Sequence, residues 1–126
     1  MINLNAFSGR TKNNEGVVTT QSMTDAEAEQ IKQMLMNKNR HNVFPNKFDR
    51  TKPFRVAVQF DGRYHNFGNF SNIEVATCVG AVAVVSLFGS SADTGAFDVN
   101  VAQSHPEWIN WMGRNADVIE KANAAS

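Results

Sequence analysis

Residues 53–89 read PFRVAVQFDGRYHNFGNFSNIEVATCVGAVAVVSLFG, and three elements follow one another in them. Phe54, Val56, Val58 and Phe60 alternate with Arg55, Ala57 and Gln59, the period of two that marks a half-buried strand. Asp61-Gly62 comes next. A type I′ turn needs positive φ at both central residues, and Asp-Gly tolerates it, so the chain is expected to reverse here into a hairpin. Tyr64 to Phe67 makes the return strand. Gly68 allows a sharp exit or a close backbone approach. Alternation sends Phe54 and Phe60 inward and leaves Arg55, Ala57 and Gln59 on the opposite face.

The rest of the stretch is a helix by length and by its start, although its valines also fit a buried strand pair. Ser71 or Asn72 caps it, and Glu74 completes a capping box with Ser71. Gly89 ends it. Gly80 costs such a helix about 1 kcal/mol relative to alanine. A row of small residues, Ala76, Gly80 and Ala83, offsets this by letting the helix lie close to a sheet. The helix is apolar nearly all round, so it must be covered on both sides. The sheet is expected on one face, and other helices or a second subunit on the other.

Outward from this unit, Thr24-Asp-Ala-Glu27 is a capping box. It opens a helix whose acidic Asp25, Glu27 and Glu29 favour the positive end of the helix dipole. Ala28, Ile31 and Leu35 form its apolar stripe, with Met34 beside them. Residues 40–53 carry Pro45 and Pro53 and read as a short first strand around Val43 to Phe48 or as an extended loop. Ala96 to Val101 reads as another short strand. Ser104-His-Pro-Glu107 is a further capping box, with Pro106 in the first turn. In the helix that it opens, Trp108, Met112 and Ile119 face inward, with Ile109 and Ala116 alongside. The expected fold is α+β. A small antiparallel sheet of about three strands packs on a central apolar helix, with flanking helices over 24–38 and 105–122. One domain spans 23–126. Residues 1–22 form an irregular arm, with one strand at Gly16 to Gln21.

Composition narrows the function. A chain of 126 residues is expected to hold one modest core. Its one cysteine, Cys78, excludes an intramolecular disulfide framework and a multi-cysteine metal site, which fits a reducing, cytoplasmic setting. The first residues lack the layout of a secretory signal. The longest low-charge stretch, Val75 to Phe88, falls short of the roughly 20 residues that span a bilayer, so no membrane segment is expected. His41, His65, His105 and Cys78 show no metal-ligand spacing. Asp93, Asp98 and Glu107 read as turn and cap residues. No phosphate-binding loop and no nucleophile–base pair can be named. The expectation is a non-enzymatic protein without a metal or cofactor.

Charge is zero overall but unevenly placed. From Lys38 to His65, Lys38, Arg40, Lys47, Arg50, Lys52, Arg55 and Arg63 stand against Asp49 and Asp61, a surplus of five positive charges. The remainder holds five basic and ten acidic residues. Such a basic segment on a neutral protein fits either a phosphate-binding footprint or a solvated loop with scattered lysines.

Strand, Asp-Gly turn, strand, Phe67-Gly68-Asn69-Phe70 and an alanine-spaced helix closing at Gly89 together resemble the apetala-two/ethylene-response-factor DNA-binding domain. That family is found in plant transcription factors and in phage and bacterial proteins. The family's Leu-Gly-x-Phe motif stands where this chain has Phe67 to Phe70, and its helix alanines where this chain has Ala76 and Ala83. The resemblance covers residues 43–98, under half of the chain. It implies a three-stranded sheet lying in the DNA major groove and backed by the helix. The binding residues would be Lys47, Arg50, Lys52, Arg55, Gln59, Arg63, Tyr64 and Asn66. Arg and Lys neutralise phosphates, and Gln and Asn pair with adenine edges.

Two departures open alternatives. The family's strand tryptophans are missing, with Asn66 at one such position, and Ala57 stands where a contact residue is common. The same scaffold could serve as a phage-encoded interaction module that inhibits a host protein. Alternatively, Phe44, Phe48 and Tyr64 beside the cations fit single-stranded nucleic acid, whose bases stack on exposed rings. A homodimer is expected only if the terminal helices leave the central helix uncovered.

Overall fold

The hairpin closes as the Asp61-Gly62 pair requires. Both residues have positive φ, 53° and 78°, and Phe60 pairs directly with Arg63. The computed structural model describes residues 22–125; the strand expected at 16–21 lies outside them. In chain order the elements are α1 (Asp25–Asn37), β1 (Val43–Pro45), β2 (Phe54–Phe60), β3 (Arg63–Phe70), α2 (Ile73–Phe88), α3 (Val99–Ser104), α4 (Pro106–Arg114) and α5 (Ala116–Ala125). The three strands form one antiparallel sheet in the order β1-β2-β3. Helix α2 packs on one side of it, so the α+β expectation holds. The first strand is shorter than the stretch from Val43 to Phe48. Among the described residues, no helix is long and apolar enough to cross a membrane.

Helix α2 runs through the middle of the molecule. Every residue from Val75 to Ala81 is buried. The sheet covers one side, and α3, α4 and α5 cover the other. The chain's own helices thus supply the cover that the sequence demanded. At Gly80 the chain leading into β1 comes close: a Cβ there would lie 3.2 Å from the His41 carbonyl oxygen and 3.4 Å from the Asn42 Cβ. The two hydroxyls buried in α2 bond back along the helix, Thr77 to the Ile73 carbonyl at 2.8 Å and Ser86 to the Ala83 carbonyl at 2.7 Å. Cys78 lies in the same core, and burial pushes its thiol up to about 11.

Of the three expected capping boxes, one forms. Thr24 Oγ1 accepts from the Glu27 amide at 3.1 Å, and Glu27 Oε1 accepts from the Thr24 amide at 2.8 Å. At α2 the cap is Asn72, whose Oδ1 accepts from the Glu74 and Val75 amides. At α4 it is His105, whose Nδ1 accepts from the Glu107 amide. These caps leave both glutamates free to bond elsewhere. Glu107 accepts from the Ser71 and Asn72 amides at 3.0–3.3 Å, tying α4 to the start of α2. Glu74 accepts from Arg40 Nη1 and from the Asp98 amide, both at 2.6 Å. It therefore joins three segments: the end of α1, the start of α2 and the entry to α3.

Two further expectations are corrected. No strand forms at 96–101, because Asp98 caps a helix there by accepting from the Asn100 and Val101 amides. The helix expected over 105–122 breaks into α4 and α5 at Asn115, whose side chain bonds back to the Trp111 carbonyl. The break changes the inward face. Trp108, Trp111 and Ala122 are buried, whereas Ile109 and Met112 are exposed and Ile119 is partly covered.

The Arg40 guanidinium beside Glu74 is the largest cause holding that carboxyl below the ordinary glutamate range; burial opposes it, and the Asp98 amide adds to it. A carboxylate with a lowered folded-state pKa stabilises the fold above its unfolded value of about 4.3, and that contribution fades as pH falls through the lowered value. Both side chains are mostly shielded from solvent. Glu74→Gln is expected to lower unfolding free energy at pH 7 by roughly 2–4 kcal/mol. In urea titrations, the gap between parent and variant should narrow below about pH 4.

Candidate nucleic-acid interface

The face of the sheet away from α2 is built by cross-strand pairs, which place partners on one side. Phe44 pairs with Arg55, and Arg55 with Asn69. Further along, Ala57 pairs with Asn66, and Gln59 with Tyr64. Arg55, Gln59, Tyr64 and Asn66 are therefore gathered on one outer face. Asn69 joins them.

Asn69 reaches this face because the register slips. Val56 pairs with Gly68, but Ala57 pairs with Asn66, so Phe67 is an extra residue in β3. The bulge is held from both sides. Trp111 Nε1 donates to the Phe67 carbonyl at 2.8 Å, and the Gly68 amide donates to Asn66 Oδ1 at 3.2 Å. Gly68 has φ +127, and a Cβ there would lie 3.1 Å from the Phe70 ring, so this position requires glycine. A glycine inside a strand was the available sign of a bulge. Nothing local in the sequence pointed to Trp111, the largest of the fully buried side chains.

Ala57 is not exposed as expected. It is 1% accessible, although it lies between Arg55 and Gln59 on the outer side. The rings of Phe44 and Tyr64 reach toward each other across β2 and meet edge to face, with centroids 6.3 Å apart. They roof the small alanine. The Arg55 guanidinium sits 5.7 Å from the centre of the Phe44 ring, a cation–π contact that holds the charge in place. Tyr64 itself remains 63% exposed.

The cations divide into two groups. Lys47 Nζ lies 2.6 Å from Asp25 Oδ1, and Arg50 Nη2 lies 2.8 Å from Glu27 Oε1. Arg50 also donates to the Ser22 carbonyl. The acidic first turn of α1 thus folds onto the β1–β2 loop and neutralises part of the basic segment. Lys47, by hydrogen bond and charge, lowers the pKa of Asp25. For Glu27 the Thr24 amide is the leading cause of its lowered pKa, with Arg50 contributing. Arg40 is held by Glu74. Lys52, Arg55 and Arg63 have no carboxylate partner among the described residues. Lys52 lies just before β2. Arg63 opens β3, where its pairing with Phe60 places it on the α2 side of the hairpin tip.

No three His, Cys, Asp or Glu side chains among the described residues gather to hold a metal ion. Comparison with protein-family models, with curated proteins and with solved structures returns no match.

Trp111→Phe keeps most of the ring in the core and removes the bond to the Phe67 carbonyl. It is expected to cost about 1–2 kcal/mol of stability in chemical denaturation. Faster amide exchange at Gly68 and Asn69 than at Val58 would show that the loss is felt first at the bulge.

Proposed function

We propose that this chain is a small, non-enzymatic cytoplasmic protein that binds duplex DNA through the outer face of its sheet. The observation that carries the reading is the gathering of Arg55, Gln59, Tyr64, Asn66 and Asn69 on one strand face, opposite the α2 side. A ribbon of antiparallel strands fits the major groove, where an arginine reads guanine and an amide side chain reads adenine. Arg55 is pre-positioned by its ring contact, so little side-chain freedom is lost on binding. Gln59, Asn66 and Asn69 supply the amides. Lys52, just before β2, serves as a phosphate contact, whereas Arg63, on the α2 side of the hairpin tip, lies off this face. The resemblance of the sequence motifs to the apetala-two type of domain points to the same surface. Lys47 and Arg50, by contrast, are occupied by α1 and leave the contact set.

One observation favours single strands as a second reading. The exposed Tyr64 ring beside Arg55 is a platform on which an unpaired base can stack.

With Arg55 and Lys52 facing the nucleic acid, the logarithm of affinity should fall against the logarithm of salt concentration with a slope of about −2. Fluorescence anisotropy with duplex and single-strand probes measures it. Arg55→Ala should weaken duplex binding and flatten the slope by about one, whereas Arg63→Ala, off the face, should leave both unchanged. Asp25→Asn releases Lys47 and should steepen it by about one. Tyr64→Ala should weaken single-strand binding more than duplex binding if stacking prevails. No binding of either probe at low salt would overturn the proposal.

A further inference from the structure

Strand β2 has a partner on its β1 side only as far as Ala57. The last bond on that side runs from the Ala57 amide to the Asn42 carbonyl, 3.1 Å. Beyond it the chain turns away, with Asn39 and Asn42 at positive φ. Antiparallel strands hydrogen-bond alternately to either side. Phe60 is the closing pair of the hairpin and bonds toward β3, so Gln59 directs its N–H and C=O toward the side that β1 vacates. No strand among the described residues lies there.

The vacated side is concave. Val58, Val84, Phe88 and Ala92 floor an open cavity of about 690 Å³, and the side-chain pair of His41 and Asp93, 3.0 Å apart, stands at its rim. The other sheet edges differ. Helix α1 packs against β1. The edge of β3 is interrupted by the bulge, where Trp111 occupies the Phe67 carbonyl.

We propose that this notch is a strand-addition site. An extended peptide of a partner protein lies in line with β1 and exchanges two backbone hydrogen bonds with Gln59. The occupant follows from the unpaired groups: adjacent N–H and C=O on a strand edge are matched by extended backbone. Its side chains follow from the period of two. The residue opposite Gln59 points outward. Its two neighbours, opposite Val58 and Phe60, point inward over Val84 and Phe88 and are apolar. Because the site uses the β2 backbone edge and not the outer side chains, its failure and the failure of nucleic-acid binding are separable.

The test uses the full chain, isotope-labelled for NMR, and the capped peptide acetyl-Thr-Val-Thr-Val-Thr-amide. Saturable movement of the Gln59 amide resonance and slower exchange of that amide are expected. The same peptide N-methylated at its central threonine loses one of the two bonds and should bind roughly tenfold more weakly. Phe88→Arg, at a half-exposed floor position, should weaken the parent peptide comparably. Absence of a saturable shift up to several millimolar peptide overturns the proposal. Equal affinity for the N-methylated peptide overturns strand pairing without any reliance on a variant that folds. A Gln59 resonance that moves with protein concentration alone would seat a second copy in the notch and would also overturn it.

Discussion

A helix without a polar side has to be enclosed, and that demand organises this molecule. From Val75 to Ala81 every residue of α2 is buried, so neither a sheet alone nor a helical layer alone suffices. The three strands lie against one side and the C-terminal helices against the other. The parts are then clamped by two carboxylates freed from capping, Glu74 and Glu107, each accepting from groups on a different segment. These bonds sit at the two junctions where α2 begins and where the chain enters α3. The apolar layers are thereby held in one register at the end of the helix where charge is tolerated.

This arrangement also shapes the outer surface. Trp111, reaching over from α4, holds the bulge in β3. The bulge shifts the register that brings Asn69 beside Arg55. The composition of the face is thus set partly by the helix layer behind it. On the outside, Phe44 and Tyr64 meet over Ala57, and a larger residue at that position would separate them. The electrostatic asymmetry of the chain is reduced in three dimensions, since Asp25 and Glu27 are carried by α1 to Lys47 and Arg50.

Much of this was legible from local patterns. The alternation of β2, the Asp-Gly reversal, the Thr24 capping box and the length of α2 each follow from interactions within a few residues, and each appears where it was read. The misreadings share a cause. Ser71 with Glu74 and Ser104 with Glu107 satisfy a capping pattern, yet Asn72 and His105 occupy the capping positions one residue later, and the carboxylates answer to distant amides. The strand expected at 96–101 yielded to a single Asp98 cap. For the candidate site, alternation supplied Arg55 and Gln59, and the resemblance of the motifs added Tyr64 and Asn66. Ala57, Lys47 and Arg50 were misplaced because ring contacts across strands and ion pairs to another helix leave no trace in sequence spacing.

Cys78 carries a consequence of its own. It is the chain's sole thiol, it lies in the core around α2, and its pKa is pushed up to about 11. Alkylating reagents attack the thiolate, so in the closed protein the sulfur is both hidden and protonated. Only when the layers on α2 part does it return to ordinary reactivity. The molecule therefore contains its own clock: the rate at which this one atom is modified counts the openings of the core, without any label being introduced.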